Sequence, residues 1–262
     1  EYRRQRQMCI RDSFLDSSEG WDNLCKLTSR PCYALDLPGF GHSVIPEEPR
    51  LDAYADRLTR AVDQLGLDEK PLWIGHSMGG AISRWAADGP RGEDIDALAL
   101  ITPAGFGPIP LAQWADGPIT RKLLTVAFPA LSINPLAVLL AYPTQVSGGV
   151  PADSDLVLRT MRQALRGPQG PSWAVQALAH MSTLPAYDLY KESSFQGPVR
   201  SLWGTRDRLI PHEHSKHLRD IYPQAKITIW PDLAHHPQVE QPQRLKRWIH
   251  MSKAATPTLT KA

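Results

Sequence analysis

The chain has 262 residues, 42% hydrophobic and 21% charged, enough for one large domain with a sizeable core and out of range for a disordered or fibrous chain. No run of about 18 apolar residues occurs, so no helical membrane span is expected. The three cysteines, Cys9, Cys25 and Cys32, have neither zinc-ligand spacing nor the even count of a disulfide framework, which points to a reducing, cytoplasmic setting.

The formal net charge is +2, but the N-terminus changes what that means. Residues Arg3 to Asp12 read Arg-Arg-Gln-Arg-Gln-Met-Cys-Ile-Arg-Asp, the translation of CGT CGG CAG CGT CAG ATG TGT ATA AGA GAC. That DNA resembles the adapter of transposase-based sequencing libraries, whose trailing AG would complete a serine or arginine codon and so account for Ser13. Residues 1–13 are therefore expected to be an adapter-derived leader, excluded from fold reasoning like a tag. Without the four arginines and one aspartate of Arg3 to Asp12 the remainder carries a net charge of −1, so no nucleic-acid-binding surface is expected. A signal peptide ahead of the leader stays open.

Pro31 to Leu37 holds a short apolar run that ends in Asp36-Leu37-Pro38-Gly39-Phe40-Gly41, a buried strand followed by a turn. Leu51, Tyr54, Leu58, Val62 and Leu65 recur at helical spacing and stop at Gly66, which suits a helix C-cap. Strands are expected at Pro71 to Gly75, Ala97 to Thr102, Val199 to Trp203 and Ile227 to Trp230, with a helix starting near Ser77. Such alternation predicts an α/β fold with a mostly parallel central sheet and helices on both faces. Its core is expected in residues 14–102 and 199–251.

Pro103 to Pro198 breaks the rhythm. No strand signal is convincing there, and Ile119 to Phe128, Pro135 to Tyr142, Ser154 to Arg166 and Ser172 to Met181 are candidate helices. A helical lid over the strand ends is expected, where ligands bind in parallel α/β folds. Trp114, Phe128, Met161, Trp173 and Met181 are expected mostly as lid packing, one or two of them lining an acyl pocket. Residues 252–262 read as a polar, flexible tail.

The strongest chemical signal is Gly75-His76-Ser77-Met78-Gly79-Gly80, which follows the apolar Leu72-Trp73-Ile74 and precedes Ala81, Ile82 and Trp85. A nucleophile on a strand-to-helix turn needs small neighbours two residues before and two after, here Gly75 and Gly79. The helix beneath Ser77 favours developing negative charge, and the Met78 amide can donate to an oxyanion. An alcohol needs a base and the base an orienting carboxylate. Asp207, past the strand ending at Trp203, and the pair His235-His236, past the strand ending at Trp230, supply both in the order serine, aspartate, histidine. Asp232 is a second candidate acid, too near His235 in sequence for strand-end geometry. His212, His214 and His217 are read as a solvated face rather than a metal site, and Gly39-Phe40-Gly41 lacks the rest of a dinucleotide fingerprint. No cofactor is expected.

These residues resemble the lidded α/β-hydrolase family of serine esterases, cofactor-free haloperoxidases and carbon–carbon hydrolases, over Phe14 to Met251. Asp36 to Ser43 matches the family's turn after an early strand. Its histidine stands two residues before a proline and five before a glutamate, as His235, Pro237 and Glu240 do, which favours His235 over His236. Ala234 replaces the usual preceding glycine. The resemblance implies hydrolysis of a small-molecule carboxylic ester with an apolar acyl or alkyl group through an acyl-Ser77 intermediate. The carbon–carbon and peroxide-dependent chemistries, acyl transfer, and a low-turnover binding protein are the alternatives, and the oligomeric state is open.

The family also has His-Gly before the second oxyanion donor, which makes Phe14 that donor and puts Asp12 and Ser13 where His-Gly belongs. The native strand there is expected to be missing. Met8-Cys9-Ile10 is expected to fill its slot between the strands ending at Leu37 and Ile74, because unpaired buried amides cost about 1 to 3 kcal/mol each.

Overall fold

The computed structural model describes residues 8–11, 17–45, 50–133, 159, 162–163, 165, 169–188 and 193–250. The described strands are β1 (Met8–Arg11), β2 (Cys32–Leu35), β3 (Leu72–His76), β4 (Ala97–Ile101), β5 (Val199–Gly204) and β6 (Lys226–Trp230). They form one sheet in the order β2-β1-β3-β4-β5-β6, and every pairing is parallel. Met8–Arg11 occupies the expected slot, pairing Met8 with Cys32 on one side and with Leu72 on the other.

The alternation of side chains along each strand divides the core in two. Leu72, Ile74, Ala97, Ala99, Ile101 and Leu202 face one layer, where they meet Trp21 and Leu24 from the first helices and Leu245, Trp248 and Ile249 from the last. Trp73, Leu98, Leu100, Val199 and Trp203 face the opposite layer. Its helices include α2 (Leu51–Gln64) and α3 (Met78–Asp88), further along the chain helices of the 103–198 segment, and the helix that carries Leu218 and Ile221. Both faces are covered, as a fully parallel sheet requires. α2 buries Tyr54, Leu58 and Val62 at helical spacing and ends in a turn at Gly66, whose φ of 58° is the left-handed conformation expected of a C-cap.

The chain leaves β1 toward β2 on one side and places β3 on the other side of β1. In parallel α/β sheets ligands gather at the strand carboxyl ends where the order reverses in this way. The C-terminal ends of β1 and β3 are that place, and Ser77 directly follows β3.

Between β4 and β5 the described residues contain helices and no strand: α4 (Pro110–Asp116), α5 (Pro118–Ile133) and α6 (Gly170–Asp188). α4 went unseen in the sequence, and α5 and α6 run past the ends expected for them. The helix expected at 135–142 lies outside the described residues, as does most of the one at 154–166, of which residues 159, 162 and 163 are helical. Trp173 of α6 packs edge-on against Phe40 and stacks on Tyr54, with ring centroids 4.8 and 6.2 Å away. Trp173 and Met181 are buried. Trp114, expected to pack inside, is instead 45% exposed on the outer side of α4; the side chain of Phe128 and the whole of Met161 lie outside the described residues. No helix among the described residues is long and apolar enough to cross a membrane.

One finding departs from the cysteine count. Cys25 and Cys32 form a disulfide, their Cα atoms 5.7 Å apart, which staples α1 (Asp22–Leu27) to the start of β2. An odd count hides a pair whenever one cysteine stands apart, as Cys9 does here. Peptide mapping without reductant is expected to recover Cys25 and Cys32 linked, and reduction to lower unfolding stability by about 2 kcal/mol, the scale for so short a loop. Two free thiols with an unchanged urea midpoint would contradict the staple.

Candidate active site

β3 ends at His76 and α3 begins at Met78, so Ser77 alone makes the turn. It does so with φ 52° and ψ −118°, a region that residues with a side chain seldom enter. Three backbone hydrogen bonds hold it there. The Ser77 amide donates to Ile101 O at 3.0 Å, and its carbonyl accepts from Gly80 N at 3.0 Å and Ala104 N at 2.9 Å. A Cβ on Gly75 would stand 2.6 Å from both Gly79 O and Ser83 Oγ, which is why that position is glycine. Gly80 is tight as well, since a Cβ there would lie 2.6 Å from Pro103 Cβ; Gly79 takes part through its carbonyl, against which a Cβ on Gly75 would press. Gly80 could be found only by knowing that Pro103, beyond β4, packs on it. Met78 is fully buried at the first position of α3, where amides have no partner within the helix.

Asp207 follows β5 and His235 follows β6, and the two loops are tied to each other by Arg206 N donating to Leu233 O at 2.9 Å and Thr205 N to Trp230 O at 3.0 Å. His235 Nδ1 donates to Asp207 Oδ2 at 2.7 Å with both side chains buried. The other carboxylate oxygen of Asp207 accepts from Leu209 N at 2.8 Å and Ile210 N at 2.9 Å. Both carboxylate oxygens are thus engaged, and the carboxylate is fixed toward the imidazole. Thr102, next after β4, links this pair to the strand-to-helix elbow at Ser77: its Oγ1 lies 3.4 Å from His235 Nδ1, and Ile101 before it holds the Ser77 amide. Thr102 has φ 36°, unusual for a β-branched residue, and no local sequence signal marks it.

His236 is turned to other partners. Its amide donates to Glu240 Oε1 at 2.9 Å and its Nδ1 lies 3.3 Å from Gln238 Nε2. Glu240 Oε2 accepts from Ala234 N at 3.1 Å, so one carboxylate holds the backbone on both sides of His235. This explains physically why a glutamate stands five residues after the histidine. Asp232 is bound on the surface by Arg244 at 2.9 Å, whose hydrogen bond holds its carboxyl below the usual range; it has no part in the buried pair.

At the front of the sheet, Asp36 Oδ1 accepts from Ser18 N at 2.7 Å and Oδ2 from His42 N at 2.8 Å. Gly41, with φ 51°, closes that turn against the Asp36 carboxylate. Phe14, expected as the second oxyanion donor, lies outside the described residues with Asp12 and Ser13. His212 and His217 sit beside Glu213 and Asp220 at 3.4 and 3.5 Å, while His214 is buried against Gly107, departing from the solvated face. Among the described residues no three His, Cys, Asp or Glu side chains gather as metal ligands.

The family model described as "Alpha/beta hydrolase family" matches residues 13–248. The chain belongs to the α/β-hydrolase family. Among α/β hydrolases and their relatives, Lipase 3 of Moraxella sp. (strain TA144) is 29% identical over 217 residues, which are 78% of this chain and 63% of the lipase. The chain therefore spans less than two thirds of that relative. Pimeloyl-[acyl-carrier protein] methyl ester esterase of Vibrio cholerae is 23% identical over 78% of this chain and 76% of its own. Among solved structures, a thermophilic esterase from Thermogutta terrifontis superposes with a TM-score of 0.72 at 22% identity, covering 95% of this chain and 89% of that one, which supports the fold.

In this α/β hydrolase, replacing Glu240 with alanine removes both acceptors of the histidine loop and is expected to cost about 1 to 3 kcal/mol of stability. Glu240→Gln keeps one acceptor oxygen and is expected to lose less. Urea unfolding checks the order, and an alanine variant as stable as the parent would contradict it.

Proposed function

We propose that the chain is a serine hydrolase that cleaves carboxylic esters, with Ser77 as nucleophile, His235 as general base and Asp207 as its orienting acid. The observation that carries the reading is the buried His235–Asp207 hydrogen bond of 2.7 Å beside a strained serine turn. With its Nδ1 proton donated to Asp207, the imidazole has its lone pair on Nε2, where a base must have it. His235 takes the Ser77 proton as Oγ attacks the ester carbonyl. The negative charge that develops on the carbonyl oxygen is met by the Met78 amide at the start of α3, with Phe14 as the second donor. Collapse expels the alcohol, which receives the proton from His235. Water, deprotonated by the same imidazole, then releases the acid and restores Ser77.

The names of the lipase and the methyl ester esterase support an ester as substrate. The segment of residues 103–198, whose described elements are helices, is proposed as a lid. The seat of Trp173 on Phe40 and Tyr54, in the loop and helix that follow β2, supports that placement. An apolar cover favours an uncharged acyl or alkyl group.

Ser77→Ala is expected to lower kcat for p-nitrophenyl esters about a thousandfold or more while leaving thermal unfolding close to that of the parent. Among esters of graded length, kcat/KM is expected to rise from acetate to a medium acyl chain. An alanine variant that hydrolyses at the parent rate would overturn the assignment of the nucleophile.

A further inference from the structure

His76 precedes the proposed nucleophile, is fully buried, and has no role in the mechanism above. Its Nε2 lies 2.7 Å from the carbonyl oxygen of His235. A carbonyl oxygen only accepts, so Nε2 carries the ring proton and donates it. The neutral ring then has a bare Nδ1, and that atom finds no donor among the described residues. The ring stands 4.8 Å from the His235 ring, 5.3 Å from that of His236 and 6.0 Å from that of Trp21. Burial, reinforced by the two neighbouring imidazoles, pushes its pKa well below the usual histidine range. It therefore stays neutral while His235 gains and loses its proton.

A buried imidazole with one unsatisfied nitrogen is a poor choice for filling space, since phenylalanine has similar bulk and leaves no polar atom stranded. Retaining the imidazole makes sense if its donating nitrogen is needed. The loop carrying His235 is fixed by Glu240 through the amides of residues 234 and 236 and by Arg206 N through Leu233 O. Neither contact reaches the His235 carbonyl. His76 does, and it is joined by one peptide bond to Ser77.

We infer that His76 is a positioning residue for the general base: its Nε2–H clasps the His235 carbonyl and ties the base loop to the nucleophile turn, so the two reacting side chains share one reference point. The inference rests on the proposed roles of Ser77 and His235. A displacement of about 1 Å in such a pair costs about a hundredfold in rate, so the clasp acts on turnover rather than on substrate affinity.

The test compares His76→Phe, which keeps the bulk and loses the donor, with His76→Gln, whose side-chain amide can reach the same carbonyl. On p-nitrophenyl butyrate His76→Phe is expected to lower kcat by about tenfold to a hundredfold with KM within about twofold, and His76→Gln to recover most of the loss. Equal activity in His76→Phe and the parent, or an equal loss in both variants, overturns the inference. Should His76→Phe fail to fold, 15N spectra of the histidine-labelled parent decide. A proton on Nε2 with no titration from about pH 5 to 8 supports the clasp, and a proton on Nδ1 or a titrating ring refutes it. Ser77→Ala run in parallel separates the two readings. If it retains turnover, the site assignment falls; if it is inactive while His76→Phe is not impaired, only the clasp falls.

Discussion

The backbone of Ser77 is the constraint on which the rest of the site depends. A φ of 52° on a residue with a side chain costs about 1 to 3 kcal/mol and survives only where the surroundings over-determine it. Here they do: β4 takes the amide, and the helix start and the segment after β4 both donate to the carbonyl. The close approach that makes these bonds possible leaves no room for a Cβ at Gly75 or Gly80. In return the side chain of Ser77 leaves the sheet at its carboxyl edge, above the N-terminus of α3. The loops after β4, β5 and β6 deliver Thr102, Asp207 and His235 to the same edge.

The elbow was legible in the sequence because its causes are local. An apolar strand, a glycine two residues before the serine and a helical pattern after it lie within about a dozen residues, and each has a separate physical reason. Asp207 and His235 could be ordered along the chain and placed after strands, but their hydrogen bond spans 28 positions, and nothing nearby in the sequence discloses it. Thr102, Gly80 and the donor role of His76 were not legible at all. Each depends on a neighbour that only the folded sheet supplies: the imidazole of His235, the ring of Pro103 and a carbonyl 159 residues away.

The six strands among the described residues lie within two residues of the ends that the sequence predicts, apart from the one at 8–11, which the sequence marks only through the slot it has to fill. Helices between β4 and β5 were harder because apolar residues occur on several sides of them, so the period that marks a surface helix is weak. The slot taken by Met8–Arg11 illustrates a different limit. A parallel ladder satisfies backbone amides and carbonyls whatever side chains carry them, so four extended residues with a buried Met8 meet its main demand. Pairing alone therefore says little about the origin of the segment that pairs.

The central claim is that the hydroxyl oxygen of the strained Ser77 is the atom that becomes acylated. Reaction of the full chain with a fluorophosphonate, followed by peptide mass mapping, tests this without choosing a substrate. The account predicts one phosphonyl adduct, on the peptide that contains Ser77, formed in step with the loss of esterase activity. An adduct on another residue, or ester turnover that persists after complete modification of Ser77, would contradict it.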